Sequence, residues 1–282
     1  MVVRDGRFYS AISRPFPGRG KRFFMAWSKR DLTDLERMIY QRHLLLPELG
    51  EAGQLRLLES RVLVIGLGGL GSAALFYLAS CGVGELGIVD ADCVDLSNLQ
   101  RQILHGRDDV GRQKTSSARE SITRLRPDVR LNSYPVRLSD AGAAEIISRY
   151  DFVIEATDNF ESKFLVNDLC VRLGKAFSHA GILGLHGQTM TIVPGEGPCF
   201  RCLFEDVPPP GAVRTTDEAG VLGTVPGVLG VIQATEAIKY LAGCGRLLVG
   251  RLLTFDALEM AFREIKLPLE RRCGICGKDE IA

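Results

Sequence analysis

The chain has 282 residues, 46% of them hydrophobic, which is enough to bury a large core as one α/β domain or one domain with an appendage. Its 35 Lys and Arg against 34 Asp and Glu leave a net charge of +1, giving no global pull toward nucleic acid or an anionic membrane. No apolar run approaches the roughly 20 residues that span a bilayer, and 8 cysteines are too sparse for a disulfide scaffold.

Residues 1–30 differ from the rest. They carry eight basic residues (Arg4, Arg7, Arg14, Arg19, Lys21, Arg22, Lys29, Arg30) against Asp5, with Pro15, Pro17, Gly18 and Gly20 clustered. No apolar core of signal-peptide length follows, so this is expected to be a disordered or loosely draped basic extension of a soluble, cytoplasmic protein. Met25 offers an alternative start, which N-terminal sequencing of the native protein would decide. The remaining residues, 31–282, are read as one catalytic domain.

Thr33 or Asp31 is placed to cap a helix through Leu35–Tyr40. Arg42 follows, a lone arginine that its spacing alone marks as a surface charge. Pro47 and Gly50 interrupt the chain, and Gln54 to Leu58 make a short helix. Arg61–Ile65 is then a β-branched apolar run of the length of a buried parallel strand. Gly66, Gly68 and Gly71 give G-x-G-x-x-G, opening a small-residue helix that runs to about Ser80 and is broken by Gly82 and Gly84. Leu86–Val89 resumes strand character, and Asp90 falls 24 residues after Gly66, where such a fold places an acid for ribose hydroxyls. Glycines let the backbone approach a phosphate, and the helix N-terminus adds a favourable field. The glycine pattern alone is a weak signal. Its strand–turn–helix–strand–acid context predicts a nucleotide site without saying which nucleotide.

Just past the second strand, Asp92, Ser97, Asn98 and Arg101 are among the polar groups able to contact phosphate or metal. Lys114 precedes a helix over Thr115–Arg124, a poor place for a cation unless an anion is shared there. Leu131–Val136 reads as a third strand, Ser139 as the cap of a helix over Ala141–Arg149, and Asp151–Ala156 as a fourth strand. The fourth strand ends in Thr157-Asp158-Asn159, and an amphipathic helix from Glu161 to Leu173 is closed by Gly174. Repeated β-α implies a mostly parallel sheet.

From Lys175 the pattern changes. Lys175–Ala180 and Gln188–Val193 read as antiparallel strands joined by a glycine-rich loop from Gly181 to Gly187. Asp206–Thr216, with three consecutive prolines, reads as a surface loop, Val228–Leu241 as a helix ended by Gly243, and 252–256 with 261–266 as a final strand pair. The expected fold is therefore Rossmann-like α/β, a mostly parallel sheet over a nucleotide-binding half (about 60–174), continued by antiparallel strands in a second half (about 175–282).

Cys199-Phe-Arg-Cys202 and Cys273-Gly-Ile-Cys276 are two C-x-x-C pairs about 70 residues apart. Four thiolates suit tetrahedral Zn²⁺ with no open position, hence a structural knuckle pinning the C-terminus near Pro198. Two independent redox dithiols are the alternative. Cys81, Cys93, Cys170 and Cys244 stand singly, with packing as their default role.

GLGGLGS, VDADCVDLSNLQRQ, VGRQK, ATDN, HAGILGLHGQ, PCFRCLF, EAGVLG, VIQATEAIKYL and CGIC, in this order, resemble the ThiF/MoeB/HesA group. These are bacterial relatives of ubiquitin-activating enzymes, and the resemblance runs from about Leu35 to Gly277. It implies ATP, and adenylation of the C-terminal glycine carboxylate of a small ubiquitin-like sulfur-carrier protein, ThiS- or MoaD-like, in thiamin or molybdopterin synthesis. Under it, Gly66, Gly68, Gly69 and Gly71 form the phosphate-side loop and Asp90 takes the ribose hydroxyls. Ser97, Asn98, Arg101 and Lys114 surround the phosphates, Asp158 holds Mg²⁺, and Cys199, Cys202, Cys273 and Cys276 hold structural Zn²⁺. Arg42, in Tyr40-Gln41-Arg42-His43, matches an arginine that reaches ATP from the other subunit of a homodimer, although His43 replaces the glutamine that follows it in relatives.

A cysteine found in the mobile loop of many relatives is Thr216 here, and a hydroxyl forms no persulfide. No rhodanese-type domain follows the second cysteine pair. The chain is thus expected to stop at the acyl-adenylate and leave sulfur delivery to a separate donor. Adenylation of another target such as a short peptide, and a non-catalytic carrier-binding scaffold, are the competing readings. A nicotinamide-dependent oxidoreductase would not explain Arg101, Lys114, Asp158 and four cysteines together.

Overall fold

The computed structural model describes residues 3–4, 7–8, 30–138, 140–209, 211–268 and 273–277. Most of the basic extension and the Ser139 cap lie outside these residues. Within the extension, β1 (Val3–Arg4) pairs antiparallel with β2 (Arg7–Phe8).

α1 (Asp34–Ile39) starts at a capping box, in which Thr33 Oγ1 accepts from Glu36 N–H at 3.2 Å and Glu36 accepts from Thr33 N–H at 2.8 Å. Thr33, rather than Asp31, is therefore the cap. α2 (Gln41–Leu44) carries Arg42, and α3 (Gly50–Glu59) begins four residues before the expected Gln54. Leu49 packs with Leu57 and Ala242, which anchors that extra turn.

The main sheet has eight strands in the order β10-β9-β8-β7-β6-β3-β4-β5. β3 (Arg61–Ile65), β4 (Glu85–Val89), β5 (Arg130–Tyr134) and β6 (Phe152–Glu155) are parallel, as is β7 (Ala176–Leu183) beside β6. β8 (His186–Ile192), β9 (Arg251–Asp256) and β10 (Ala261–Lys266) continue it antiparallel, as the change of pattern after Lys175 implied. Period-two alternation divides β3 between two cores. Val62 and Val64 pack under α4 (Gly69–Ser80), α5 (Lys114–Leu125) and α9 (Thr224–Ala242), which follows the short α8 (Thr216–Ala219). Leu63 and Ile65 pack under α6 (Asp140–Ser148), α7 (Phe160–Arg172) and the cysteine knuckle.

The expected 181–187 loop is a correction. Strands β7 and β8 absorb most of it, leaving only Gly184 and Leu185 in the turn, with Gly184 at φ 61°. Gly187 is there for close packing: a Cβ on it would lie 2.3 Å from Leu229 of α9. Composition marks both uses of glycine alike.

Sheet order reverses beside β3, with β4 on one side and β6 on the other, and open α/β sheets take ligands at such a switch point. Gly66, at φ 93°, lies so close to β6 that a Cβ would meet the Ala156 carbonyl oxygen at 2.6 Å. Gly71 seats α4 on the turn, since its Cβ would stand 1.9 Å from Gly66 O. Gly71→Ala should accordingly cost about 3 kcal/mol, the upper end of overpacking penalties. Denaturant unfolding measures this, and a loss under 1 kcal/mol would mean the helix shifts freely.

Candidate active site

A cavity of about 1240 Å³ opens at the carboxyl ends of β3, β4 and β6. Its wall gathers Gly66, Gly68, Gly69, Asp90, Asp92, Arg101, Lys114 and Asp158 from segments far apart in the chain. Gly71 lies beneath the turn rather than in the wall.

The glycine turn is held at Leu67 from both sides. Asp90 Oδ2 accepts from Leu67 N–H at 2.8 Å, and the His105 ring donates from Nε2 to Leu67 O at 3.2 Å. Because the carbonyl only accepts, His105 is the Nε2–H tautomer, and its Nδ1 accepts from Ser117 Oγ at 2.8 Å. Burial lowers the pKa of His105 below its ordinary value, helped by Lys114. A neutral buried histidine loses stability to the unfolded chain as pH falls below about 6.5, where only the unfolded side chain takes up a proton. Chemical denaturation should therefore give lower stability at pH 5 than at pH 7, with His105→Gln flattening that slope.

Across the crevice, Thr157 is held in the same way. Glu155, fully buried at the end of β6, accepts from Thr157 N–H at 2.8 Å and from its hydroxyl. Lys163 Nζ donates to Thr157 O at 2.7 Å, to Glu155 Oε2 at 3.0 Å and to Ala180 O at 2.7 Å. His179 Nδ1–H donates to Glu155 Oε2 at 2.7 Å. Burial would raise the Glu155 carboxyl, but Lys163 and His179 overcome this and hold it at about 2. Burial, then Lys163, keeps His179 below its usual pKa and neutral. Asp158, next in the chain, is exposed, and among the described residues its side chain has one hydrogen bond, a 3.5 Å contact from Asn159 Nδ2.

The cations meet this frame from the other wall. Lys114, the first residue of α5, has a nearly buried side chain with Nζ 3.1 Å from Asp92 and 3.9 Å from Asp90. The anion shared at this helix N-terminus is thus Asp92. Arg101 spends one guanidinium N–H on Ser97 O at 3.2 Å. Ser97 and Asn98 stand outside the cavity wall, in a short 3-10 turn (Leu96–Asn98) capped by Asp95. Arg42 is exposed on α2, also outside the wall, with no hydrogen bond or ion pair among the described residues. Sequence reading missed Glu155, Lys163 and His179, and also Arg137, Arg214 and Arg263, which line the cavity. An acid ending an apolar strand, with a lysine eight residues on, was the available signal.

Cys199, Cys202, Cys273 and Cys276 converge, their Sγ atoms all within 4.8 Å of one another. The distances of 3.7 Å (Cys199–Cys273), 4.0 Å (Cys199–Cys202) and 3.3 Å (Cys202–Cys276) are far beyond a disulfide bond. Tetrahedral Zn–S bonds of about 2.3 Å would space the sulfurs about 3.8 Å apart, so this donor set fits zinc. Burial, with the neighbouring thiols, pushes Cys199 up and Cys202 to about 12. At Cys273 the Cys276 and Ile275 N–H groups outweigh burial and bring it down to about 7. A dication held by these thiols would supply the charge that ionises all four. Asn167, fully buried, accepts from Phe200 N–H at 2.9 Å and reaches Cys199 Sγ at 3.9 Å. The Phe200 ring rests on His179, centroids 4.3 Å apart, so the knuckle abuts the Glu155 network.

No helix among the described residues is long and apolar enough to cross a membrane. The chain is 44% identical over 260 residues to the "Sulfur carrier protein adenylyltransferase" of Thermus thermophilus, covering 90% of this chain and 94% of that one. It is 46% identical over 248 residues to the "SAMP-activating enzyme E1" of Haloferax volcanii, covering 88% and 91%. With the Mycobacterium tuberculosis "Probable adenylyltransferase/sulfurtransferase MoeZ" it shares 46% identity over 232 residues, 81% of this chain but 59% of that longer one. Solved E. coli MccB shares the fold at TM-score 0.73 and 21% identity, covering 81% of this chain and 71% of MccB. A match to the ThiF family spans residues 40–276, most of the chain, and the chain belongs to that family.

Proposed function

We propose that this enzyme uses ATP to adenylate the C-terminal glycine carboxylate of a small ubiquitin-like sulfur-carrier protein, releasing pyrophosphate. Its class, a sulfur-carrier adenylyltransferase, rests on the family and on relatives at 44–46% identity over most of the chain. The observation that carries the reading is one cavity with a pinned glycine turn, Arg101 and Lys114 on one wall, and the exposed Asp158 carboxylate, with no ion pair among the described residues, on the other.

The chemistry needs no general base, because the attacking carboxylate is already ionised at neutral pH. The difficulty is to bring one anion to another and to stabilise charge on the phosphoryl oxygens and the leaving pyrophosphate. The glycine turn presents backbone to the phosphates, while Arg101 and Lys114 supply positive charge. Asp90 keeps lone pairs for ribose hydroxyls beyond the two backbone N–H groups it accepts. Asp158 is the residue that would hold Mg²⁺, which when bound neutralises phosphate charge. Ser97 and Asn98, outside the wall, support the phosphate end through Arg101, whose guanidinium donates to Ser97 O. Thr216 lines the cavity where relatives place a sulfur-bearing cysteine, so the product is the acyl-adenylate and a separate protein donates sulfur.

A homodimer with Arg42 acting in trans completes the reading. In support, Arg42 has no hydrogen bond or ion pair among the described residues, and Leu35, Met38, Ile39, Leu45 and Leu46 around it are 49–76% exposed. Mixing Arg42→Ala with Asp158→Ala subunits should restore about a quarter of wild-type exchange, because half of the dimers are hybrids and each hybrid rebuilds one of its two sites; no recovery removes Arg42 from the partner's site.

The test of the whole is ATP–pyrophosphate exchange that depends on an added Gly-Gly carrier. Carrier binding without exchange would make the protein a scaffold, and exchange driven instead by a short peptide would replace the substrate. Pull-down of the Gly-Gly partner identifies the pathway, thiamin or molybdopterin.

A further inference from the structure

A buried lysine in the wall of a nucleotide cavity invites assignment as a phosphate ligand, but Lys163 has no donor to spare. Its ammonium carries three N–H groups, and three acceptors take them: Glu155 Oε2, Thr157 O and Ala180 O. Glu155 is equally saturated, accepting twice from Thr157 and once each from Lys163 and His179. Both partners are buried, so the pair is shielded from solvent and closed on itself.

What this closed group grips is informative. It takes the N–H and the C=O of one residue, Thr157, which immediately precedes Asp158. Ala156 N–H is bonded to Ile65 O at 2.9 Å, tying the same turn to the strand that leads into the glycines. Parallel register sets Glu155 beside His179, and α7 returns Lys163 over the strand ends. The Asp158 side chain stays nearly free while its backbone has no freedom upstream.

We propose that Glu155, Lys163 and His179 form a clamp that fixes the Thr157–Asp158 turn, making Lys163 a positioning residue for metal–nucleotide engagement rather than a ligand. This rests on the reading of Asp158 as the metal-binding carboxylate. Lys163 acts on the metal through the geometry of Asp158, and on ATP only when metal is present.

The test compares wild type, Lys163→Arg and the charge-cancelled pair Glu155→Gln/Lys163→Met, which avoids leaving a buried charge alone. Two quantities are read: amide hydrogen exchange over residues 156–159, and the affinity for ATP with and without Mg²⁺ by calorimetry. The clamp predicts at least tenfold faster exchange at Thr157 and Asp158 in the double variant, with α7 amides unchanged. It also predicts about tenfold weaker MgATP binding, metal-free ATP affinity within twofold of wild type, and substantial recovery in Lys163→Arg. Equal loss of ATP affinity with and without Mg²⁺ would make Lys163 a phosphate ligand. Lower thermal stability with unchanged local exchange would make the pair a plain core ion pair, and either result overturns the clamp. Failure of the wild type to bind MgATP would sink the functional reading instead, and the exchange measurement then judges the clamp alone.

Discussion

Asp158→Ala should reduce carrier-dependent ATP–pyrophosphate exchange by about 10²–10³-fold, the range for losing one group that stabilises transition-state charge. Folding should be little affected, within about 0.5 kcal/mol, as expected for an exposed side chain that makes one 3.5 Å hydrogen bond among the described residues. This pairing of a large kinetic loss with a small stability change separates Asp158 from Glu155, three residues away. Removing the Glu155 carboxylate strands a buried Lys163 and should cost several kcal/mol. Arg101→Ala belongs with Asp158, since among the described residues the guanidinium holds only one backbone carbonyl. Intact exchange in either variant would take that residue out of the site.

Metal removal should have the second large effect. One zinc per chain is expected by elemental analysis, lost in Cys273→Ser. Stability should then fall by about 3–5 kcal/mol, the scale of losing a native disulfide, because the knuckle joins segments about 70 residues apart. The loss should localise: limited proteolysis should cut first near residues 273–277, which the cysteine cluster holds against α7 and Phe200. A metal-free protein of unchanged stability would end the structural role for zinc.

The parallel half of the fold was readable because buried strands are short apolar runs, and RVLVI, ELGIV and FVIE carry that signature. The glycine turn was readable because close approach leaves only glycine at Gly66 and Gly71. What escaped depended on register and on partners distant in sequence. His179 faces Glu155 because β7 lies beside β6 in one register, which no local pattern encodes. Lys114 looked short of an anion until the Cys93–Gln113 bridge brought Asp92 to it. Gly187 looked like a loop residue until α9 packed on the hairpin. Arg42 shows the opposite limit, since no hydrogen bond or ion pair among the described residues engages it.

Leu67 and Thr157 follow the ends of the neighbouring strands β3 and β6, each with its backbone N–H and C=O engaged by buried or nearly buried side chains. Fixing the backbone of a residue costs about 1–2 kcal/mol of conformational entropy. At these two positions that cost falls in folding, so about 2–4 kcal/mol of ordering is absent from nucleotide capture. The binding cradle is rigid before its ligand arrives, and the affinity of its contacts is left undiluted by any need to shape the chain around them.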